Sequence, residues 1–521
     1  MIVGRDAATP TGTAAQGTAA GVAAQVAVVG PKMIEALLLV VWAVPCLVIT
    51  AGLFYRSTML LQRNYNEGWN AFHAASWLHG GPLYYPPSAL VHPSHLIYAL
   101  WGAGLYDLWD WIGLPIRSLY LMQVANCLLA GLAVVLLYRC LRVQGWSSEF
   151  GVIGALTFGF SATWWKFATD ANAYIPAIFL LLCAYLLLQD SRMVWLAGLA
   201  QTAAMLFHEL AILFLPVALL LLWKRRASIA TIAVYCVEGL APVAVAYVWA
   251  YRAAHPQGGF LAWVTSHSSD SSFSFNPIRD LVYTLRGTLR LFFGGRLPDV
   301  VHDPLSGAAG ILLVCALAGF VFYGWRALPL RWSRPPASLL LWLSLYVAFL
   351  FFWMPQNTFY RLFYLAPLVL ILFMALEDAP PVHRAGFFFA AVLLLWNFVF
   401  LTYPESRAEF NAPLRFALAQ HDGWPPGSAI VFHRFHPDLW TISYFNPQAS
   451  WFGLDRADLG EMERDLAYAR SQKKPLWVEE TAYELVDGTA DGRKWLMEHE
   501  HRDELLRFKD EKHEFVFHAI R

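Results

Sequence analysis

Apolar runs of about twenty residues recur along most of this chain, and no other feature limits its fold so strongly. Each is close to the length that crosses a hydrocarbon core of ~30 Å. In lipid, every backbone N–H and C=O must be satisfied within its own segment, so runs of this length read as helices. The sequence therefore predicts an α-helical polytopic membrane protein. Composition agrees: 58% of the 521 residues are hydrophobic and 14% charged, against about a quarter charged in a soluble domain. The formal net charge is zero, which offers no field to attract nucleic acid or an acidic partner.

The runs place spans near 33–55, 118–138, 150–167, 172–189, 193–207, 209–223, 228–251, 306–326, 337–353, 361–377 and 385–402. The short pieces on either side of His208 read as a broken helix pair. Segment 94–112 is apolar but holds Asp107 and Asp110 behind a Pro-rich approach. It is assigned as a juxtamembrane or half-inserted helix. Short loops on one side hold Arg139, Arg142, Arg192, Lys224, Arg225, Arg226, Arg326, Arg331, Arg334 and Arg384; those on the other hold Arg117, Lys166 and Arg361. The Lys/Arg-rich side is expected to be cytoplasmic. About eleven crossings then put the N-terminus inside and the C-terminus outside, in a multi-pass protein of the cell (inner or plasma) membrane.

Residues 1–31 read as a flexible cytoplasmic tail, and Met33–Tyr55 as a signal anchor with no cleavable signal before it. The transmembrane module is 32–404, with outer loops at 56–93 and 252–305. Within the second loop, Asn276–Gly294 alternates Arg279, Arg286 and Arg290 with Leu281, Tyr283, Leu285, Leu289 and Phe292. A basic amphipathic helix of this kind rests in the headgroup zone. Residues 405–521 are polar and read as a small extracytoplasmic α/β domain. "SAIVFH", "KPLWVEE" and "EFVFHAI" read as strands there, and "LGEMERDLAYARS" and "DGRKWLMEHEHRDELLRF" as helices. All six cysteines fall in apolar segments, so neither a disulfide framework nor a thiolate metal site is indicated.

The stretch after the first span holds Asn66-Glu67-Gly68-Trp69, then Gly81-Pro82-Leu83-Tyr84, then Tyr85-Pro86-Pro87. This resembles the first outer loop of the GT-C glycosyltransferases, which include the protein O-mannosyltransferases and aminoarabinose transferases. "FYRLFYLAPLVLIL" is more loosely similar to the Arg-aromatic start of a late span in that superfamily. The resemblance implies a bundle of transmembrane helices with juxtamembrane helices roofing an outward cavity. It implies transfer, with inversion, of a sugar from a polyprenyl-phosphate donor to an acceptor. Asn66 stands where the superfamily often has Asp, so the pair of adjacent carboxylates is incomplete.

Such a transfer needs a base for the acceptor hydroxyl and a cation for the departing phosphate. At the motif position Glu67 is the candidate base, a role worth roughly 10²–10⁴-fold; the alternative is a solvated or capping carboxylate. Arg361 is the candidate phosphate clamp, since its fork matches a phosphate; the alternative is an interfacial Arg snorkelling to headgroups. Lys166 follows Trp164-Trp165 and has the same two readings. Asp170 either completes the catalytic floor beside Glu67 or caps the helix that follows. His208 and Glu209 either contact sugar or phosphate or pair with each other at a tight turn. Tyr84, Tyr85 and Asn66 complete the substrate-binding set; rings of this kind suit a sugar face or the membrane interface.

His73, His79, His92 and His95 are irregularly spaced for a metal site, which needs oriented ligands. No metal is assigned, and a divalent cation is not indicated as a cofactor. The expected partners are membrane lipids, the lipid-linked donor and a glycan, lipid or protein acceptor. Two other classes stay open: a transporter or flippase for a lipid-linked sugar, and a catalytically degenerate scaffold. The first would favour paired internal repeats, and none is evident.

Overall fold

The computed structural model describes residues 30–56 (side chains to 43), 74–75, 92–113, 118–190, 193–254, 259–265, 276–295, 304–327 and 335–402, and much of 419–521. The first part is helical. Helix α1 (Pro31–Arg56) is followed by α2 (Tyr98–Ile112), α3 (Ser118–Val143), α4 (Ser148–Gly159), α5 (Ala162–Ala168), α6 (Tyr174–Leu187) and α7 (Val194–Phe207). Next come α8 (Leu215–Lys224), α9 (Ile229–Ala254), α10 (Phe260–Thr265), α11 (Pro277–Phe292), α12 (Pro304–Ala327), α13 (Ala337–Trp353), α14 (Leu362–Met374) and α15 (Pro380–Asn397). Among the described residues, Leu119–Val143, Ile229–Ala253 and Pro380–Thr402 are long and apolar enough to cross a membrane, and five shorter helices are also apolar.

Helix α3 is the hub: it packs on α1, α4 and α6, and α6 packs on α7. The segment read as one span at 150–167 is instead two helices, α4 and α5, broken at Phe160–Ser161. Asn397 explains why the break is tolerated. It is fully buried, and its amide donates to the carbonyls of Phe160 and Phe292, both at 2.7 Å, while its carbonyl accepts from the Gly294 N–H at 2.9 Å. Backbone groups freed at membrane depth must find partners of this sort. The same logic operates at Pro242 inside α9. Proline offers no N–H to the carbonyl four residues back, and Thr202 of α7 donates its hydroxyl to that Glu238 carbonyl at 2.7 Å.

At one end of the bundle two carboxylates, Glu35 and Asp378, are paired. Arg139 grips Glu35 with two bonds of 2.8 and 2.6 Å, joining the end of α3 to the start of α1. Asp378 accepts from the Ser147 N–H at 2.6 Å and hydroxyl at 2.7 Å, and meets His383 Nε2 at 2.6 Å. Partial burial raises the Asp378 pKa. The bonds from Ser147 and His383 outweigh burial and hold it below the ordinary carboxylate value.

Helix α2 has 15 residues, roughly 22 Å at 1.5 Å per residue, short of a ~30 Å core. It ends at Gly113, which takes the left-handed conformation (φ 79°) that favours glycine. Helix α11 matches the expected amphipathic helix almost to the residue. Its apolar stripe of Ile278, Leu281, Val282, Leu285 and Leu289 is exposed, while Asp280, Thr284, Gly287 and Leu291 face the bundle.

The C-terminal part holds a five-stranded sheet of order β2-β1-β3-β5-β4: β1 (Ala429–His433), β2 (Ser450–Leu454), β3 (Leu476–Glu479), β4 (Glu500–Lys509) and β5 (Glu514–Ile520). Strand β1 runs parallel to β2 and β3, and β5 runs antiparallel to β3 and β4. Helices α16 (Leu459–Ser471), α17 (Glu480–Asp487) and α18 (Ala490–His499) accompany it. The stretch 491–508, read as one helix, stops at His499 and continues as β4. Strand β1 alternates its burial between two clusters. Ala429 and Val431 join Met462, Leu466 and Val478. Ile430 and Phe432 join the larger core with Trp451 and Phe517.

Candidate active site

The site is built at the bundle end opposite the Glu35–Arg139 pair, where α5 turns into α6, α7 into α8, and α13 into α14. Gln123 and Asn126, both buried on α3, hold the first of these turns. Gln123 Nε2 donates to the Thr169 carbonyl at 3.1 Å, and Asn126 Nδ2 to the Asp170 and Asn172 carbonyls at 2.7 and 3.0 Å. Asp170 is 5% exposed, and its Oδ1 accepts from the Ala171 N–H at 2.8 Å. It does not cap α6. Asn172 does that, accepting from the Tyr174 and Ile175 N–H groups at 3.1 and 3.2 Å. The capping alternative for Asp170 is thus corrected by two residues. Lys166 lies one turn earlier on α5, half-buried.

His208 sits at the break between α7 and a 3-10 segment, Glu209–Phe214. Its Nδ1 accepts from the Leu210 N–H at 3.2 Å, so the ring turns the chain as well as facing the site. The alternative of a His208–Glu209 pair at a tight turn is not what forms. The neighbours of His208 are rings: Tyr174 at 4.9 Å, Phe363 at 5.1 Å, Tyr360 at 5.8 Å and His95 at 6.0 Å between centroids. Glu209 instead takes a hydrogen bond from the Ser94 side chain. Ser94 lies in a short 3-10 turn, Pro93–His95, before α2. Tyr247 ties that turn to α9 by donating to the Pro93 carbonyl at 2.5 Å. His92 and His95 stack with centroids 4.5 Å apart. Among the described residues no group of three or more His, Cys, Asp or Glu side chains could hold a metal ion.

Arg361 closes a 3-10 turn, Phe359–Arg361, at the start of α14. Its guanidinium is fully buried. Nη1 donates to the Tyr364 hydroxyl at 2.8 Å, and Nη2 to the carbonyls of Pro355 at 2.5 Å and Tyr283 at 3.4 Å. Nε has no acceptor among the described residues, and none of the ion pairs formed among them includes Arg361. The snorkelling alternative predicted an exposed head, which this side chain lacks.

Aromatic contacts join the three turns. Phe359 lies 6.0 Å from Phe167 and 5.5 Å from Tyr174, and Tyr360 lies 5.8 Å from Tyr174. Lys166, Asp170, His208 and Arg361 therefore share one end of the bundle. Glu67, Asn66, Tyr84 and Tyr85 lie outside the described residues. The sequence reading passed over Asn126, Asn172 and Tyr364. For Tyr364 a signal was present, since a residue three after Arg361 on a helix shares its face.

No family model matches the chain, and no curated protein matches it. Among solved structures it is similar to ArnT from Cupriavidus metallidurans in the apo state, with 13% identity over 92% of this chain and 97% of that one, TM-score 0.43. ArnT bound to undecaprenyl phosphate gives 13% identity over 92% of this chain and 98% of that one, TM-score 0.40. The S. cerevisiae protein O-mannosyltransferase Pmt1-Pmt2 complex bound to the sugar donor gives 19% identity over 42% of this chain, TM-score 0.31. The chain spans only 33% of that yeast chain.

Proposed function

We propose that this protein is a GT-C-type glycosyltransferase that moves a sugar from a polyprenyl-phosphate donor to an acceptor at the outer face of the membrane. The observation that carries the reading is the buried Arg361 guanidinium, without a carboxylate partner among the described residues, beside turns that also hold Asp170, His208 and Lys166. A buried cation is costly unless an anion joins it. A phosphate leaving group supplies that charge, and preorganised donors act where negative charge grows.

In this reading Glu67 takes the proton from the acceptor hydroxyl. The acceptor oxygen bonds to the anomeric carbon as the bond from that carbon to the phosphate oxygen breaks, with inversion. The polyprenyl phosphate departs toward Arg361, and Asp170 orients the acceptor. Lys166, His208, Tyr84, Tyr85 and Asn66 line the sugar and phosphate path. The Lys/Arg-rich loops face the cytoplasm, the chain crosses the bilayer about eleven times, and the C-terminal α/β domain lies outside.

Purified protein in detergent, given a radiolabelled polyprenyl-phosphate sugar and a mixed acceptor extract, tests this. Transfer that falls roughly 10²–10⁴-fold in Glu67→Gln supports the assignment. Full transfer by Glu67→Gln would remove the base. Label that moves between vesicle leaflets with no new glycosidic bond would replace the enzyme by a flippase.

A further inference from the structure

Arg361 is held by more than its own helix. Tyr364 receives its Nη1 at 2.8 Å, and the same hydroxyl lies 2.9 Å from the Thr288 hydroxyl on α11. The Thr288 hydroxyl also lies 2.8 Å from the Thr284 carbonyl of its own helix. Tyr364 is thus held between Arg361, from which it accepts, and the Thr288 hydroxyl on α11. One residue earlier on α11, Gly287 covers the guanidinium. A Cβ there would clash with Nε and would stand 2.8 Å from Cζ and 2.9 Å from Cδ. Nε, which has no acceptor among the described residues, thus packs against α11 at its glycine. Helix α11 is anchored at its last turn, where Thr163 takes up the Arg290 carbonyl at 3.0 Å and Asn397 the Phe292 carbonyl at 2.7 Å. Its outward stripe of Ile278, Leu281, Val282, Leu285 and Leu289 is exposed on the side away from the bundle.

We propose that Tyr364 and Thr288 are positioning residues that fix the Arg361 fork, that Gly287 lets α11 pack directly on that fork, and that lifting α11 exposes Nε to an anionic lipid headgroup. The identity of that lipid as the donor's carrier rests on the glycosyltransferase reading; the positioning does not. The ligand chemistry is a phosphate ester. Its source is a lipid, because the element that must lift to admit it carries an apolar stripe on its outer face, and headgroup and tail then arrive from the same side. Charge-assisted bonds to a guanidinium depend on the angle of the fork. Losing the Tyr364–Thr288 tether loosens that angle without removing the charge.

The test titrates the full chain in detergent, by its tryptophan fluorescence, with undecaprenyl phosphate, with the uncharged undecaprenol and with inorganic phosphate. The readout is the ratio of affinities for the first two, which a merely structural role would not move. Tyr364→Phe is expected to lower this ratio about tenfold and Thr288→Val severalfold, while Thr288→Ser, which keeps the hydroxyl, restores it. Gly287→Ala is expected to lower it at least as much as Tyr364→Phe. A ratio unchanged in both Tyr364→Phe and Thr288→Val would overturn the proposal. Inorganic phosphate binding as tightly as undecaprenyl phosphate would overturn the lipid source. Arg361→Ala separates the two readings: if it loses the ratio while Tyr364→Phe keeps it, only the positioning fails, and if it keeps both ratio and transfer, the clamp itself fails.

Discussion

The two ends of the helical bundle handle charge in opposite ways. At the end that holds Glu35 and Asp378, these two carboxylates have partners within 2.6–2.8 Å: Arg139 on Glu35, Ser147 and His383 on Asp378. Those contacts join helix ends, and nothing about them invites a ligand. At the other end, Arg361 is fully buried, is bonded only to neutral oxygens, and keeps an idle Nε among the described residues. Both arrangements use arginine. Among the described residues, Arg139 has a carboxylate partner and Arg361 has none.

If the contrast is real, the largest effect belongs to Arg361. Arg361→Ala is expected to cut sugar transfer on the order of 10²–10³-fold, the usual loss for one preorganised donor, with the initial rate from radiolabelled donor as the measurement. A near-normal rate would break the comparison. Next comes Asp378→Ala at the paired end. It strands the Ser147 N–H and hydroxyl and should cost about 1–3 kcal/mol of stability, read as a lower denaturation midpoint with transfer per folded molecule unchanged. Because the Asp378 pKa is depressed, its contribution is present above the ordinary carboxylate value and is lost as pH falls through the depressed one.

A third test uses the C-terminal domain, where the sign reverses. Burial, with Glu461 close by, raises the Asp465 pKa to about 7. A raised carboxylate contributes fully below its unfolded pKa and loses that contribution as pH rises through the folded one. Amide exchange in α16 should therefore speed up between about pH 4 and pH 7 more than global opening does, and Asp465→Asn should flatten the trend. The smallest effect is expected from Arg139→Ala. That pair is half-exposed on the Arg side (53%), so about 0.2–1 kcal/mol is at stake. A loss of several kcal/mol there would show that the paired end carries more of the fold than exposed ion pairs do.

Much of the helical part was legible because hydrophobic runs state their own length. The amphipathic stripe gave α11, and "LGEMERDLAYARS" gave α16, which the structure shows capped by Asp458. Three features were hidden for physical reasons. The break at Phe160 cannot be read locally, since the partner of its carbonyl, Asn397, lies 237 residues away. Strand β4 reads as helix because "EHRDELLRFK" is rich in helix formers; only pairing along β5 makes it extended. Its charges suit the sheet edge it occupies. In the site, a cap is one of the two readings open for Asp170, because Asp caps helices well. Asn172 is equally suited, and the geometry of the turn, not the residue type, chose it.

The missing methyl at position 287 has a consequence for anyone who mutagenises this protein. Residues 287 and 361 occupy one volume, so they behave as a steric couple and not as two independent sites. Enlarging the first should be tolerated only when the second is shortened, and a double-mutant cycle across the couple should depart strongly from additivity.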